Sequence, residues 1–223
     1  MGIVLSIASA ITWFIADLQT GHIYIHPIIP YWNTLMRFGF FLITTFLISN
    51  FKKAFDLEKK YSRIDNLTGI PNSRSFYEVV LKEIDISRRY KTYLSILYID
   101  LDNFKLINDT QGHLEGDRLL RSVANHIKNN IRNMDSAARL GGDEFAVLLP
   151  HTEFGQAKTV AEKLRSALMD LMQQNDWSVT FSIGLASFID PPLTVNEIIK
   201  KADDLMYSVK RNGKNNIKYE FYN

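Results

Sequence analysis

The sequence predicts an α/β fold, a mixed central sheet flanked by helices, preceded by an apolar N-terminal region. Three observations carry this. Charge is unevenly distributed: residues 1–50 hold only Asp17 and Arg37, and nearly every other charged side chain lies beyond them. From about residue 65 onward, strand-length apolar runs alternate with longer segments whose apolar residues recur at helical spacing. Finally, two apolar runs are separated only by Gly141, Gly142, Asp143 and Glu144, which marks an antiparallel hairpin within an alternating chain and makes the sheet mixed. The length, 223 residues, fits one ordinary domain plus something smaller. A balance of 26 Lys and Arg against 24 Asp and Glu leaves a net +2, so nothing global points to nucleic acid. The absence of cysteine excludes disulfides, thiolate metal sites and a cysteine nucleophile.

Residues 2–18 form a first membrane-span candidate, somewhat short of the roughly 20 apolar residues that cross a bilayer. They lack the basic start and small-residue cleavage site of a secretory signal. Residues 31–50 form a second candidate, with Tyr31 and Trp32 suited to an interfacial belt and Arg37 positioned to snorkel outward or to pair with a neighbouring helix. The 19–30 connection carries Gly21, Pro27 and Pro30. Its His22 and His26 have no further ligands in sequence and read as structural rather than metal-binding. Lys52, Lys53, Lys59, Lys60 and Arg63 follow the second run, so the positive-inside rule places that side, and with two spans both termini, in the cytoplasm. The competing reading is a pair of buried soluble helices. The short first span also raises the expectation of further membrane region upstream. Residues 51–64 continue at helical spacing as a stalk, either dimerising or a simple linker.

Residues 65–72 are dense in turn formers and end the stalk. Ser73 is positioned to cap a helix over 73–90 with Phe76, Val79, Val80 and Ile84 on one side. A strand over 93–100 is apolar almost throughout, as a central strand is. A loop is expected over 102–113, then a helix facing inward with Leu119, Leu120, Val123, Ile127 and Ile131. After the glycine hairpin come a helix over 153–171, a strand over 177–187, a helix over 195–211 and a short strand over 217–221.

The chemistry gathers at strand ends. Two adjacent glycines are able to take the positive φ of a tight turn and leave no side chain at its tip. Asp143 and Glu144 follow at once, and Asp100 stands where an apolar strand emerges. If those strands are neighbours, three carboxylates converge, raising one another's pKa until a cation joins them. Hard oxygens of this kind suit Mg²⁺ or Mn²⁺ together with phosphate oxygens. No Walker-type Gly-x4-Gly-Lys occurs, which disfavours a P-loop enzyme. Lys105, Lys210 and Lys214 are the available cations, and Lys210 and Lys214, four apart, share a face if helical. A solvated surface turn and a dipole-stabilising helix end remain the plain alternatives for the hairpin and the lysine pair.

From about Asp65 to Tyr219 the chain resembles the GGDEF family of diguanylate cyclases. The likeness rests on Asp65-x-Leu67-Thr68-Gly69-x-Pro71-Asn72, Asp100-x-Asp102-x-Phe104-Lys105-x-Ile107-Asn108-Asp109, Gly112-His113-x-x-Gly116-Asp117, Gly141 to Phe145, Ser182-Ile183-Gly184, and Ala202-Asp203 through Tyr207 and Lys210 to Gly213-Lys214-Asn215. The resemblance implies a fold similar to the palm of nucleotidyl cyclases and polymerases, with a catalytic domain over 65–223. It implies condensation of two GTP into cyclic di-GMP between two facing domains of a homodimer. It assigns metal, two Mg²⁺ or Mn²⁺ per half-site, to Asp100, the Leu101 carbonyl, Asp143 and Glu144. Asp143 serves as a ligand or as the base for the 3′-hydroxyl, and Lys105 assists catalysis. It assigns the substrate to Asn108, Asp117, Phe104, His113, Gly141, Gly142, Lys210 and Lys214, with Asn108 and Asp117 reading guanine. A carboxylate suits guanine because it accepts the N1–H and amino protons together, which adenine lacks.

Arg132 and Asp135, three apart, read on their own as a surface ion pair at a helix end. At this distance before the glycines they resemble the family's product-inhibition site. Two departures are visible, Ser73 and Lys214 where the family often carries arginine; lysine keeps the charge but loses the bidentate fork. The expected protein is a cyclase at a bacterial cytoplasmic membrane with its catalytic domain in the cytoplasm. A silent membrane receptor for cyclic di-GMP or GTP is the rival reading.

Overall fold

The computed structural model describes residues 2–19, 26 and 28–223. His22 lies outside the described residues. Two compact units divide the chain, 1–62 and 63–223.

In the first unit, α1 (Gly2–Gln19) packs against α2 (Ile29–Tyr61). The Arg37 guanidinium lies 4.7 Å from the Trp13 ring centroid, so it pairs with the neighbouring helix. Thr12, Thr34 and Thr44 return their hydroxyls to helix carbonyls, which satisfies them without water. Among the described residues one helix is long and apolar enough to cross a membrane, over Ile29–Lys53, where two spans were expected. The uncharged run from Gly2 ends at Asp17, short of the roughly 20 residues that cross a bilayer, and among the described residues α1 contributes only a shorter apolar stretch, Ile7–Ala16.

The second unit contains α3 (Ser73–Tyr90), β1 (Leu94–Asp102), α4 (Phe104–Gln111), α5 (His113–Asn129), β2 (Ser136–Gly141), β3 (Glu144–Pro150), α6 (Phe154–Gln174), β4 (Thr180–Phe188), α7 (Val195–Arg211) and β5 (Asn216–Tyr222). The sheet runs β2-β3-β1-β4-β5. Only β4 and β5 are parallel; β1 is antiparallel to both of its neighbours. The α/β fold with a mixed, helix-flanked sheet is therefore as expected.

Strand alternation divides the core in two. Leu97, Ile99 and Leu101 of β1 join Leu119, Val123 and Ile127 of α5 and Ala161, Leu164 and Leu168 of α6 on one face. Leu94, Ile96 and Tyr98 join Phe76, Val80 and Ile84 of α3 and Ile198, Ala202 and Met206 of α7 on the other. β1 is buried along its whole length. Gly184 of β4 sits opposite Tyr98, and a Cβ there would lie 2.0 Å from the Ala202 carbonyl oxygen, so α7 rests directly on the strand backbone.

Helix ends are set locally. Asn72, not Ser73, caps α3, its side chain accepting from Ser75 N–H at 3.0 Å. Thr194 and Glu197 open α7 in a Thr-x-x-Glu arrangement, with the Thr194 hydroxyl accepting from Glu197 N–H. The loop expected over 102–113 contains α4, entered through Asn103 in the left-handed region at φ 64°.

Candidate active site

Residues 100 and 144 are directly paired across β1 and β3. Both fall on the α3 and α7 face, in step with Tyr98 on β1 and with Ala146 and Leu148 on β3. Asp100 is 3% exposed. Its Oδ2 lies 2.6 Å from the Lys210 ammonium, while its Oδ1 is buried with no hydrogen-bond partner. Leu101 N–H donates to the Asp143 carbonyl at 3.3 Å, which ties the turn to the end of β1. Burial pushes Asp100 up to about 6, against the pull of Lys210, and Asp143 and Glu144 add to the rise. Glu144 is raised by burial, with Asp203 and Asp143 adding and the Tyr98 hydroxyl opposing. Asp203 of α7 is raised by burial and by Asp204. Desolvation pulls Lys210 down, but its bond to Asp100 and the negative charges of Asp100, Asp143 and Asp102 together raise it. Asp203 is a fourth carboxylate here, present in the sequence motif but given no role from it.

The turn differs from the expectation in one respect. Gly142 alone takes positive φ, 46°, while Gly141 stays in β2 opposite Glu144. The β2–β3 register shifts between Arg139 and Gly141, leaving Leu140 in a bulge. A Cβ built at Gly141 or Gly142 would meet nothing within 4 Å, so the turn has open space beside its backbone. Arg139 donates to the Gly142 carbonyl through Nε and Nη2, a contact that strand periodicity does not reveal.

Asp102, 1% exposed, accepts from the hydroxyls of Thr180 and Ser182, each at 2.8 Å, and from Asn215 N–H at 3.1 Å. It anchors the turn after α7, where Lys214 and Asn215 both take positive φ. Lys214 lies in this turn, beyond the helix, so the expected shared helical face with Lys210 does not exist. The two ammoniums still reach one strand end: Lys210 meets Asp100 and Lys214 Nζ donates to Asn103 Oδ1 at 2.8 Å.

Asn108 and Phe104 of α4 crowd Gly116 of α5: a Cβ on Gly116 would lie 2.0 Å from Asn108 Oδ1 and 3.3 Å from the Phe104 ring. Asp117 follows Gly116, half-buried, with Arg121 at 3.8 Å. His113 and Lys105 stand exposed on the first turns of α5 and α4. Lys210, rather than Lys105, supplies the ammonium on Asp100.

Arg132 and Asp135 sit in the turn after α5, not in a helix. The Asp135 carboxylate accepts from Arg132 N–H at 2.9 Å, and Asp135 N–H donates back to the Arg132 carbonyl. The expected side-chain ion pair is thus replaced by a backbone clasp. Burial raises Asp135, with Arg132 opposing. Both residues line a cavity of about 480 Å³ with Pro71, Lys128 and Asn133.

Among the described residues, no three or more His, Asp or Glu side chains form a ready-made metal cage. The donor set nevertheless fits Mg²⁺ or Mn²⁺. The unpartnered Asp100 Oδ1 and the facing Glu144 are hard oxygens, both held toward protonation by burial until a cation arrives, and Mg²⁺ commonly takes only one or two carboxylates plus phosphate oxygens.

A family model described as "Diguanylate cyclase, GGDEF domain" matches residues 62–216. The Bacillus subtilis protein YhcK is 32% identical over 220 residues, 95% of this chain and 60% of the relative. Diguanylate cyclase A of Treponema denticola is 38% identical over 159 residues, 69% of this chain and 43% of the relative. The chain thus spans less than two thirds of either curated relative. Among solved structures, the GGDEF domain of DgcB from Caulobacter crescentus, in complex with c-di-GMP, has TM-score 0.62 at 26% identity over 70% of this chain and 92% of that one. Diguanylate cyclase SiaD of Pseudomonas aeruginosa, in complex with its activator SiaC, has TM-score 0.66 at 26% identity over 97% and 83%.

Proposed function

The chain belongs to the GGDEF-domain family of diguanylate cyclases, and from that premise we propose that it condenses two GTP into cyclic di-GMP and two pyrophosphates. One observation carries the reading: Asp100 and Glu144 face each other beside the glycine turn, with one buried Asp100 oxygen unpartnered and Lys210 on the other.

In this reading each catalytic domain, residues 65–223 beyond an apolar region 1–50 and a stalk 51–64, holds one GTP. Asp100, the Leu101 carbonyl, Asp143 and Glu144 hold two Mg²⁺ or Mn²⁺, which when bound neutralise charge on the phosphates. Gly141 and Gly142 let the nucleotide lie against the turn, and Lys210 and Lys214 hold its phosphates, with Lys105 as a further cation. Asn108 and Asp117 read the guanine edge; Phe104 and His113 border it. Asp143 accepts the 3′-hydroxyl proton. The freed oxygen forms a bond to the α-phosphorus of the GTP on a second copy, and the bond to pyrophosphate breaks. The same step in the opposite sense closes the ring. A homodimer is therefore required, because each domain supplies half of each reaction.

In this reading the protein is anchored at a bacterial cytoplasmic membrane with the basic residues after the anchor on the cytoplasmic side, supported by one helix, Ile29–Lys53, long and apolar enough to cross a bilayer. Arg132 and Asp135, on the rim of their cavity, bind product and slow the enzyme. The deciding experiment incubates the purified full chain with Mg²⁺ and GTP and resolves products chromatographically. Cyclic di-GMP is expected. A folded dimer that binds guanine nucleotides without making it overturns the proposal in favour of a silent receptor.

A further inference from the structure

The unit opens with a turn, residues 63–72, closed on itself by hydrogen bonds from Asp65 N–H to the Ile70 carbonyl, Gly69 N–H to the Asp65 carbonyl and Asn72 N–H to the Arg63 carbonyl. This turn follows the last residue of α2 by a single position. It is also bonded to β2: Asn72 bridges Arg139 in parallel, and Arg139 N–H donates to the Pro71 carbonyl at 3.0 Å. The Arg139 side chain, 13% exposed, then spans two places. Nη1 reaches Asp65 Oδ1 at 3.1 Å and Oδ2 at 3.3 Å, while Nε and Nη2 reach the Gly142 carbonyl at 2.9 and 2.6 Å. Thr68 holds the same carboxylate from the other side, through N–H at 2.9 Å and its hydroxyl at 2.6 Å.

The site needs such a brace. Leu140 is bulged out of the ladder and Gly142 carries positive φ, so strand pairing holds Glu144 but leaves the Gly142–Asp143 tip to other bonds. A guanidinium serves because its donors point in two directions from one rigid plane, which a lysine ammonium cannot do. We propose that Arg139 is a positioning residue that couples the opening turn, through Asp65, to the Gly142 carbonyl, so that a shift of residues 63–72 alters the presentation of Asp143. Burial alone would raise Asp65, but its bonds from Thr68 and Arg139 bring it below the ordinary carboxylate value, in keeping with a charged anchor. In its catalytic consequence the coupling rests on the cyclase reading.

The test compares the full chain with Arg139→Lys, Asp65→Asn and the double variant, by amide hydrogen exchange over residues 141–144 without nucleotide, thermal unfolding, and turnover of Mg²⁺-GTP. Arg139→Lys is expected to speed exchange at 142–144 about tenfold and to lower kcat about tenfold with KM changed less than about twofold. Asp65→Asn keeps the Gly142 bonds and is expected to give the same changes at about threefold. The double variant is expected to match Arg139→Lys alone, since Asp65 acts only through Arg139. Wild-type exchange over 141–144 in Arg139→Lys, or additive effects in the double variant, overturns the coupling. If the wild-type chain makes no cyclic di-GMP, the cyclase reading fails while exchange still decides the brace.

Discussion

Two corners of the same strand end hold a buried aspartate each, and they are built to opposite purposes. At one corner Asp102 is enclosed by three donors from β4 and from the turn after α7. At the other, Asp100 has one lysine, one unpartnered oxygen and carboxylates beside it. The residues are two apart on a fully buried strand, so neither burial nor strand geometry separates them. What differs is whether the protein completes the coordination of the charge. A completed carboxylate holds the fold; an incomplete one stores a demand for a cation.

The comparison is broken most severely by removing charge from the incomplete corner. Glu144→Gln is expected to lower cyclic di-GMP formation at least about a thousandfold, with the melting temperature unchanged or raised, because it removes a mutually repelling charge. Kinetics beside thermal unfolding will check both halves. The opposite result is expected for Asp102→Ala. Losing a buried acceptor strands the Thr180 and Ser182 hydroxyls and the Asn215 N–H, and destabilises the unit by about 3 kcal/mol in thermal or urea unfolding.

Acidity sharpens the contrast more gently. The folded-state value of about 6 for Asp100 lies above its ordinary 3.8, so the metal-free native state binds the extra proton between them. That contribution is fully present below the unfolded value and is lost as pH rises through the folded one. The metal-free protein is thus expected to lose about 2–5 °C in Tm between pH 4 and pH 6.5, a slope that Asp100→Asn removes. Scanning calorimetry in EDTA at the two pH values is the check. The smallest effect is expected from Lys214→Arg, which keeps the charge held beside Asn103 and should move the KM for GTP by less than about threefold.

Much of this site was legible because it follows periodic rules. The sequence put Asp100 and Glu144 at strand ends, and the pairing of β1 with β3, left open there, brings them together. Asn108 and Asp117 drew attention as motif residues, and helical spacing marked the helix that carries Lys210. The rest depends on partners remote in sequence. Asp65 and Arg139 are 74 residues apart, and Asp102 and Asn215 are 113 apart, separations that carry no period. The helix over Phe104–Gln111 was hidden because Asn103, Asn108, Asp109 and Gly112 read as loop, and only Ile107 of its eight residues is buried. Lys214 was misplaced because spacing alone cannot show that a helix stops at Arg211 and turns left-handed. Arg132 and Asp135 were read as a side-chain pair, though a short carboxylate close to its own backbone competes well for an N–H.

The glycine at 184 carries a consequence of its own. With no methyl between β4 and the Ala202 carbonyl, α7 lies as close to the sheet as backbone atoms permit, and the reach of Lys210 toward Asp100 is measured from that seat. A single added carbon would tilt the whole helix and withdraw an ammonium located two turns farther along. Screens for inactive variants should therefore recover this position alongside the acids, although nothing it carries is polar. In this domain a missing atom acts as a ruler, and the distance from Lys210 to Asp100 is calibrated by a contact between two backbones.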